Sequence, residues 1–566
     1  MAPSEETRSL SAPTKDGNVD SPVTDKVDSG APATVSTQKN TSGPKKYPWR
    51  FWAVFVSLSV TGLLAALEGT VTSTALPTIA KDLEAGEQYI WFVNVYFLTS
   101  TAVLPLFGQV ADIFGRKWLM ISVVAMFALG SGISGGATTT AMLIGGRAVQ
   151  GVGGGGINML IDLIVCDLVP LRERGNFMGI IFGVFAIGTS LGPFIGGAIV
   201  QNTTWRWVFY LNLPIAGAAL ILLLLFLPES YEDKSSFSVK IKRVDFLGNA
   251  ILIASVTSVL IALSTGGTRY GWGDWHVIVP LVIGLLGLVG FQVYETWATE
   301  PVVPMRLFSN RTSATALGLT FVHTMFTFWV VYFLPVYFQS VIAASPTRSG
   351  VLLLPTVTSL VPFGLISGLL LAKFGRYKPL HIAGFAIMTI GIGCFTTLDA
   401  NSSLAVYVIL QIVVGGGSGL ILTTLLPAVQ APLPESDTAL ATATWAFIRS
   451  FGSIWGVSIP AAIFNTYASK YASRITDLSV RAQMSGGNAY AHASKDFINS
   501  FQGSLRDEVL SVFTDSLKVV WQVAIGIVGL AFLLSFLEKE IKLREELDTE
   551  YGLEKKEKSK SVDAVS

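Results

Sequence analysis

The chain has 566 residues, of which 51% are hydrophobic and only 14% charged, against about 25% charged in an ordinary soluble domain. A soluble protein of this length needs a charged surface that this sequence does not supply, and the mean hydropathy of +0.57 agrees. A net charge of +1 gives no basic field for nucleic acid, and two cysteines in or beside apolar blocks, Cys166 and Cys394, give neither a metal cluster nor a disulfide framework.

Residues 1–47 are rich in Ser, Thr, Pro, Lys and Asp, lack the apolar core of a signal peptide, and read as a disordered tail. Fourteen apolar spans follow, at about 51–73, 90–110, 118–136, 139–165, 176–200, 207–227, 246–265, 276–297, 314–338, 348–372, 380–397, 404–427, 438–463 and 516–537. Each must be helical, because lipid satisfies no backbone hydrogen bond. The expected fold class is an all-α polytopic membrane protein with fourteen transmembrane helices. From Glu538 the chain mixes Lys and Glu, which reads as a juxtamembrane helix that frays, or as a lipid-binding segment.

Basic residues orient the spans. Loops after even-numbered spans carry Arg116 and Lys117, Arg172 and Arg174, Lys240, Lys242 and Arg243, then Lys373, Arg376 and Lys378. The opposite short loops hold mostly single basic residues: Lys81, Arg206, Arg269 and Arg348. Both tails are therefore expected in the cytoplasm, with a long loop at about 466–515 outside. Of the sequons at Asn40, Asn202, Asn310 and Asn401, only Asn202 and Asn401 would face outside as glycosylation candidates.

The chain repeats itself. Gly108-xxx-Asp112-xx-Gly115-Arg116 matches Gly368-xxx-Ala372-xx-Gly375-Arg376. Arg147-xxx-Gly151-x-Gly153-x-Gly155 matches Gln411-xxx-Gly415-x-Gly417-x-Gly419, and Gly188-xxx-Gly192 matches Gly452-xxx-Gly456. Six spans, two extra central spans and six more therefore divide the chain into bundles over 48–228 and 301–537, a linker over 229–300, and a tail over 538–566. Two similar bundles around a central cavity are the parallel-repeat plan of a secondary transporter.

The segment Gly108 to Lys117 is the most specific signal. Its glycines permit close helix approach and a sharp turn, Asp112 can accept hydrogen bonds from a helix N-terminus, and Arg116 can clamp a carboxylate across an interface. These residues, with Gly115 and Lys117, form a conformational latch that must break when the inner gate opens. A helix cap with positive-inside charges is the simpler alternative.

This segment resembles the loop motif of the major facilitator superfamily. Leu143 to Gly151, with Arg147, resembles that family's intramembrane arginine motif. Gly188-xxx-Gly192-Pro193-xx-Gly196-Gly197 resembles the antiporter motif of its drug:proton exchangers. Leu67-Glu68-Gly69-Thr70-Val71 through Pro77 resembles the fourteen-helix branch, where Asp commonly stands in place of Glu68. The likeness covers about residues 50–540 and is greatest to fungal efflux pumps for toxins and other secondary metabolites. It implies alternating access coupled to protons, with Asp167, Arg172 and Arg174 in a second loop latch.

An unpaired Arg in a bilayer is costly, so Arg147 needs a partner. At about 1.5 Å per residue, Glu68 and Arg147 lie at depths that agree within roughly a turn. Their pair is either a proton-coupling site or a purely structural ion pair. Asp162 is read as an interfacial acid at a helix end, or a relay member. Arg449 has no obvious acid at its depth, so Gln411 or a backbone carbonyl could satisfy it, or it could favour an anionic substrate. Asn94, Tyr96, Gln150, His323 and Gln411 are candidate cavity-lining groups, along with Arg449. The string Gly151-x-Gly153-xx-Gly156 lies inside a hydrophobic span and lacks the βαβ context of a dinucleotide site.

The leading functional expectation is a proton-driven exporter of amphipathic small molecules, monomeric, needing no cofactor or metal, in the plasma membrane or alternatively the vacuolar membrane. An importer of a siderophore or basic amino acid, and a non-transporting receptor, are the alternatives. No nucleophile–base set or metal cluster in the sequence suggests an enzyme.

Overall fold

The computed structural model describes residues 47–85, 91–228, 236–266, 270–485, 489–490 and 492–546. Residues 1–46 of the expected tail over 1–47, with Asn40, and also Arg269 and the chain beyond residue 546 lie outside the described residues, as does the side chain of Pro193. Thirteen helices among the described residues are long and apolar enough to span a membrane, and a bent pair makes a fourteenth. The protein is thus an all-α, multi-pass membrane protein.

The first bundle holds α1 (Trp49–Asp82), α2, α3 (Lys117–Gly135), α4 (Thr140–Leu168), α5 (Leu171–Asn202) and α6 (Arg206–Tyr210 continuing as Asn212–Phe226). Helix α2 is the bent one: Trp91–Ala102 and Leu104–Phe114 meet at 44°. Pro105, in the first turn of the second segment, explains the break, since proline suits a helix start and not its interior. The extra pair is α7 (Phe246–Thr265) and α8 (Trp275–Glu295). The second bundle holds α9 (Arg311–Ser340), α10 (Pro346–Phe374), α11 (Lys378–Phe395), α12 (Leu404–Leu422, resuming over Leu425–Gln430), α13 (Thr438–Tyr471) and α14 (Gly503–Ser535).

The glycine repeats have matching duties in the two bundles. A Cβ on Gly151 would lie 2.4 Å from the Tyr96 carbonyl oxygen and one on Gly155 would lie 2.3 Å from that of Ser100, so both face α2. Gly153 faces α3, 2.5 Å from Phe127 N. In the second bundle Gly415 and Gly419 approach the Thr356 and Leu360 carbonyls of α10 within 2.6 and 2.5 Å, and Gly417 faces α11. Helices α4 and α12 are each wedged between two neighbours, which only glycine permits at that spacing.

Gln109 ties α2 to the extra pair. Its Nε2 donates to the Glu300 carbonyl at 2.8 Å, and its Oε1 accepts from Asn249 Nδ2 at 3.0 Å and Asp245 N at 3.2 Å.

Both described ends of the chain reach one face. Trp49 packs edge-on to Phe226 at 6.2 Å, and residues 539–546 run back across the second bundle to the first. That segment corrects the expected juxtamembrane helix: after Ser535 the chain forms a turn and then continues without helix through residue 546. Its backbone is engaged by other elements, with Tyr377 Oη donating to the Lys539 carbonyl at 2.5 Å and accepting from Ile541 N at 3.2 Å. Glu538 and Leu543 are buried. The region read as a loop at 466–515 is largely helical at both ends and contains the short helices Leu478–Met484 and Lys495–Asn499.

Candidate functional site: an intramembrane ion pair and a closed bundle interface

Glu68 on α1 and Arg147 on α4 are fully buried and joined as an ion pair. Glu68 Oε1 accepts from Arg147 Nη1 and from Thr72 Oγ1, the latter at 3.0 Å. Its Oε2 accepts from Asn212 Nδ2 of α6 at 2.5 Å. Arg147 also donates to the Phe92 carbonyl through Nε and to Gln150 Oε1 through Nη1, each at 2.7 Å. Gln150 Nε2 then reaches Ser131 Oγ on α3 at 2.8 Å. The Arg147 guanidinium lies over the Tyr96 ring at 4.6 Å. Five helices thus contribute to one network with no solvent exposure, the arrangement that a buried charge requires. Asn212 and Ser131 are members that sequence reasoning missed; Asn212 sits inside an otherwise apolar span, the one signal that could have found it.

The antiporter-like stripe abuts this site. A Cβ at Gly188 would lie 2.8 Å from Ala66 Cβ, and one at Gly192 would lie 2.0 Å from Thr70 Oγ1. Gly188 and Gly192 therefore press α5 against α1 on either side of Glu68. Gly196 is buried, Gly197 has open space beside it, and α5 runs unbroken through Pro193.

The two bundles meet at the face that carries the chain ends. A Cβ on Gly108 of α2 would strike Ala443 Cβ of α13 at 2.3 Å, and one on its repeat mate Gly368 of α10 would strike the Gly175 carbonyl of α5 at 2.6 Å. Arg174, fully buried, donates to Gln430 Oε1 at 2.8 Å and to Glu435 Oε1 at 2.5 Å. Arg172 donates to the Ala372 and Lys373 carbonyls at 2.7 Å each, at the C-terminal end of α10 where a cation complements the helix dipole. The terminal strap adds Glu545 paired with Arg172 and Arg544 paired with Glu435 at 2.9 Å. Towards the opposite face, Ile187 and Leu191 of α5 are exposed.

Several expected placements change. The main partner of Arg116 is Asp167, at 2.9 Å, with Asp112 at 3.8 Å. Arg116 therefore braces the loop within the first bundle, while Gly108, Arg172 and Arg174 make contacts across the interface. Gly115 turns the chain at φ 87°, a left-handed conformation that glycine adopts without strain. Lys117 Nζ reaches the Leu224 carbonyl at 3.4 Å. Arg449 pairs neither with Gln411 nor with a backbone carbonyl but with Asp162, Nη2 to Oδ2 at 3.2 Å. Asp162 is consequently a buried partner across the bundle interface and not an interfacial acid. Position along the chain hides the pair, because Asp162 lies near the end of its apolar span and Arg449 near the middle of its own.

The cavity candidates are mostly packed. Tyr96 and Gln150 are buried in the Arg147 network, and Asn94 is half-buried on α2. His323 is buried with Nε2 2.8 Å from Ser418 Oγ. Gln411 Oε1 accepts from Thr356 Oγ1 at 2.9 Å and its Nε2 donates to the Tyr407 carbonyl. Of the two buried ion pairs Glu68–Arg147 and Asp162–Arg449, Arg449 is the most exposed member, at 22%. Outside the spans, Asp82 is held below the usual carboxylate range by hydrogen bonds from Trp205 Nε1 at 2.8 Å and Arg206 Nη1 at 3.3 Å. Asn202 and Asn401 are exposed at the face opposite the latch.

Residues 58–457 match the family model described as Major Facilitator Superfamily. The chain is 46% identical over 562 residues to the MFS-type transporter pydD of an Acremonium species, covering 99% of this chain and 97% of that one. It is 49% identical to the MFS-type efflux pump LUC4 of a Fusarium species, over 92% of this chain and 93% of that protein, and 49% identical to the efflux pump FUS6 of Gibberella fujikuroi, over 92% and 94%. Among solved structures, the human organic anion transporter MFSD10 superposes with a TM-score of 0.57 at 14% identity, covering 86% of this chain and all of that one. The proton:xylose symporter XylE gives 0.56 at 15%, covering 88% and 98%. With its two glycine-wedged bundles, its extra helix pair and this match along most of its length, the chain belongs to the major facilitator superfamily and is a multi-pass membrane transporter.

Proposed function

We propose that the protein is a proton-coupled antiporter that exports amphipathic small molecules, of the secondary-metabolite kind, by alternating access. The observation that carries the reading is the buried Glu68–Arg147 pair set inside the first bundle, apart from the interface where the bundles separate. Proton exchange and substrate passage then occupy different places and are linked through α1 and α5, whose glycine contacts flank Glu68. Glu68 accepts from Thr72 of α1, Arg147 of α4 and Asn212 of α6, so any change in its hydrogen bonding is linked to how those three helices stand. The efflux names of the Fusarium and Gibberella relatives support the direction. In this reading the latch face is cytoplasmic, Asn202 and Asn401 face outside, and the monomer works in the plasma membrane.

The test is transport in vesicles with an imposed pH gradient, using a panel of amphipathic metabolites and an internal pH dye. Substrate and protons should move in opposite directions, and Glu68→Gln should abolish the exchange while the variant remains folded. Movement in the same direction would establish an importer, and normal gradient-driven exchange by Glu68→Gln would remove that residue from coupling.

A further inference from the structure

The Arg449 guanidinium lies at the interface between the bundles with most of its hydrogen-bonding capacity unused. It makes one side-chain hydrogen bond, through Nη2 to Asp162. An arginine presents five N–H donors and no acceptor. Its plane rests against Trp445, 4.3 Å from the ring centroid, and faces Phe182 of the first bundle at 5.5 Å. Trp445 is 1% exposed, yet its Nε1–H has no hydrogen-bond partner. An indole N–H can only donate. A partly exposed cation and a buried unsatisfied donor therefore lie on two side chains in direct contact, and Asp162 engages one edge of the guanidinium.

We propose that this position is the substrate's acid subsite. It takes the carboxylate or enolate of an amphipathic molecule, with Arg449 and Trp445 donating to the acidic group and the Phe182 and Trp445 rings contacting its apolar part. This rests on the export reading and adds the substrate class to it. Asp162 is the internal competitor: a ligand anion that takes over the guanidinium releases an ion pair that joins α4 to α13. Ligand binding would thereby loosen the closed interface, which gives the substrate differential contacts in the two access states.

The test is binding by the full-length protein in phosphatidylcholine nanodiscs. The probes are pyrenebutyric acid and its methyl ester, read by energy transfer from tryptophan. The ester has nearly the acid's shape but carries no charge and enters lipid more readily, so each ratio is taken after subtracting partitioning into nanodiscs that hold no protein. The wild type should prefer the acid by about tenfold or more, as expected for charge-assisted hydrogen bonds in a partly desolvated site. Arg449→Gln should bring the acid-to-ester ratio close to one, Arg449→Lys should keep part of it, and Asp162→Asn should raise it. Trp445→Phe, which keeps the ring and loses the N–H, should lower the ratio even if Arg449→Gln fails to fold. A wild type with no acid preference, or a ratio that neither Arg449→Gln nor Trp445→Phe changes, overturns the proposal. Because the readout is binding, a protein that prefers the acid through Arg449 but moves nothing in vesicles would refute export and leave the acid subsite standing.

Discussion

Replacing Gly108 by alanine tests whether the bundle interface is a movable latch. The added Cβ would sit 2.3 Å from Ala443 Cβ, where carbon atoms prefer about 3.5–4.0 Å. The two helices must therefore part by more than an ångström at that point, or the closed arrangement must be abandoned. Overpacking of this size costs about 1–3 kcal/mol, which corresponds to about a 5–150-fold shift between two access states. A native reporter stands nearby: Cys166 is buried, its Sγ 3.5 Å from Gln430 Nε2 of the other bundle. In a Cys394→Ala background, maleimide labelling of Cys166 should accelerate by that factor in Gly108→Ala. The second-site change Ala443→Gly deletes the atom in conflict, and the next neighbours of the new Cβ, the Ala439 carbonyl at 3.5 Å and Met159 Cε at 3.6 Å, tolerate it. The double variant should label as slowly as the background. Wild-type labelling in Gly108→Ala, or fast labelling that persists in the double variant, would refute the latch.

Glu68→Gln also has a stability signature. The carboxylate accepts from Arg147, Thr72 and Asn212, whereas an amide has one acceptor and places a donor against one of those donors. Breaking a buried pair costs about 3–5 kcal/mol, offset by about 1 kcal/mol for each hydrogen bond retained. With two of the three hydrogen bonds retained, a net loss of about 1–3 kcal/mol should appear in detergent unfolding and be partly recovered by Asn212→Asp, and unfolding identical to wild type would show the donor inventory to be wrong. Ending the chain after Glu538 removes the strap pairs Arg172–Glu545 and Arg544–Glu435, which are partly exposed and worth about 1 kcal/mol or less each. Cys166 labelling should rise severalfold, and an unchanged rate would show that the strap does not hold the bundles. Asp82, lowered by Trp205 and Arg206, contributes stability above its unfolded value near about 4 that is lost as pH falls through its lower folded value. Acid destabilisation should thus be smaller in Asp82→Asn than in the wild type, as read by unfolding at pH 7 and below 4, and equal acid sensitivity would exclude this carboxylate.

The sequence by itself determined the class, the number of spans and their register in two repeats. Long apolar runs can only be helices in lipid, and the glycine spacing that wedges α4 and α12 is visible as a one-dimensional pattern. Glu68 and Arg147 could be matched because both helices belong to one bundle, where position along the chain converts directly to depth. Partners across bundles were a different matter. Asp162 and Arg449 are separated by nearly three hundred positions, and their pairing depends on how two bundles are rotated against each other, which no periodicity encodes. For the same reason Arg116 turned inward to Asp167, while Arg172 and Arg174 took the interface. The strap is the clearest case. Its mixed charges read as a fraying helix, but local propensity is weak, and the fixed carbonyls, hydroxyls and arginines of two bundles offered its backbone and side chains better partners than a helix could.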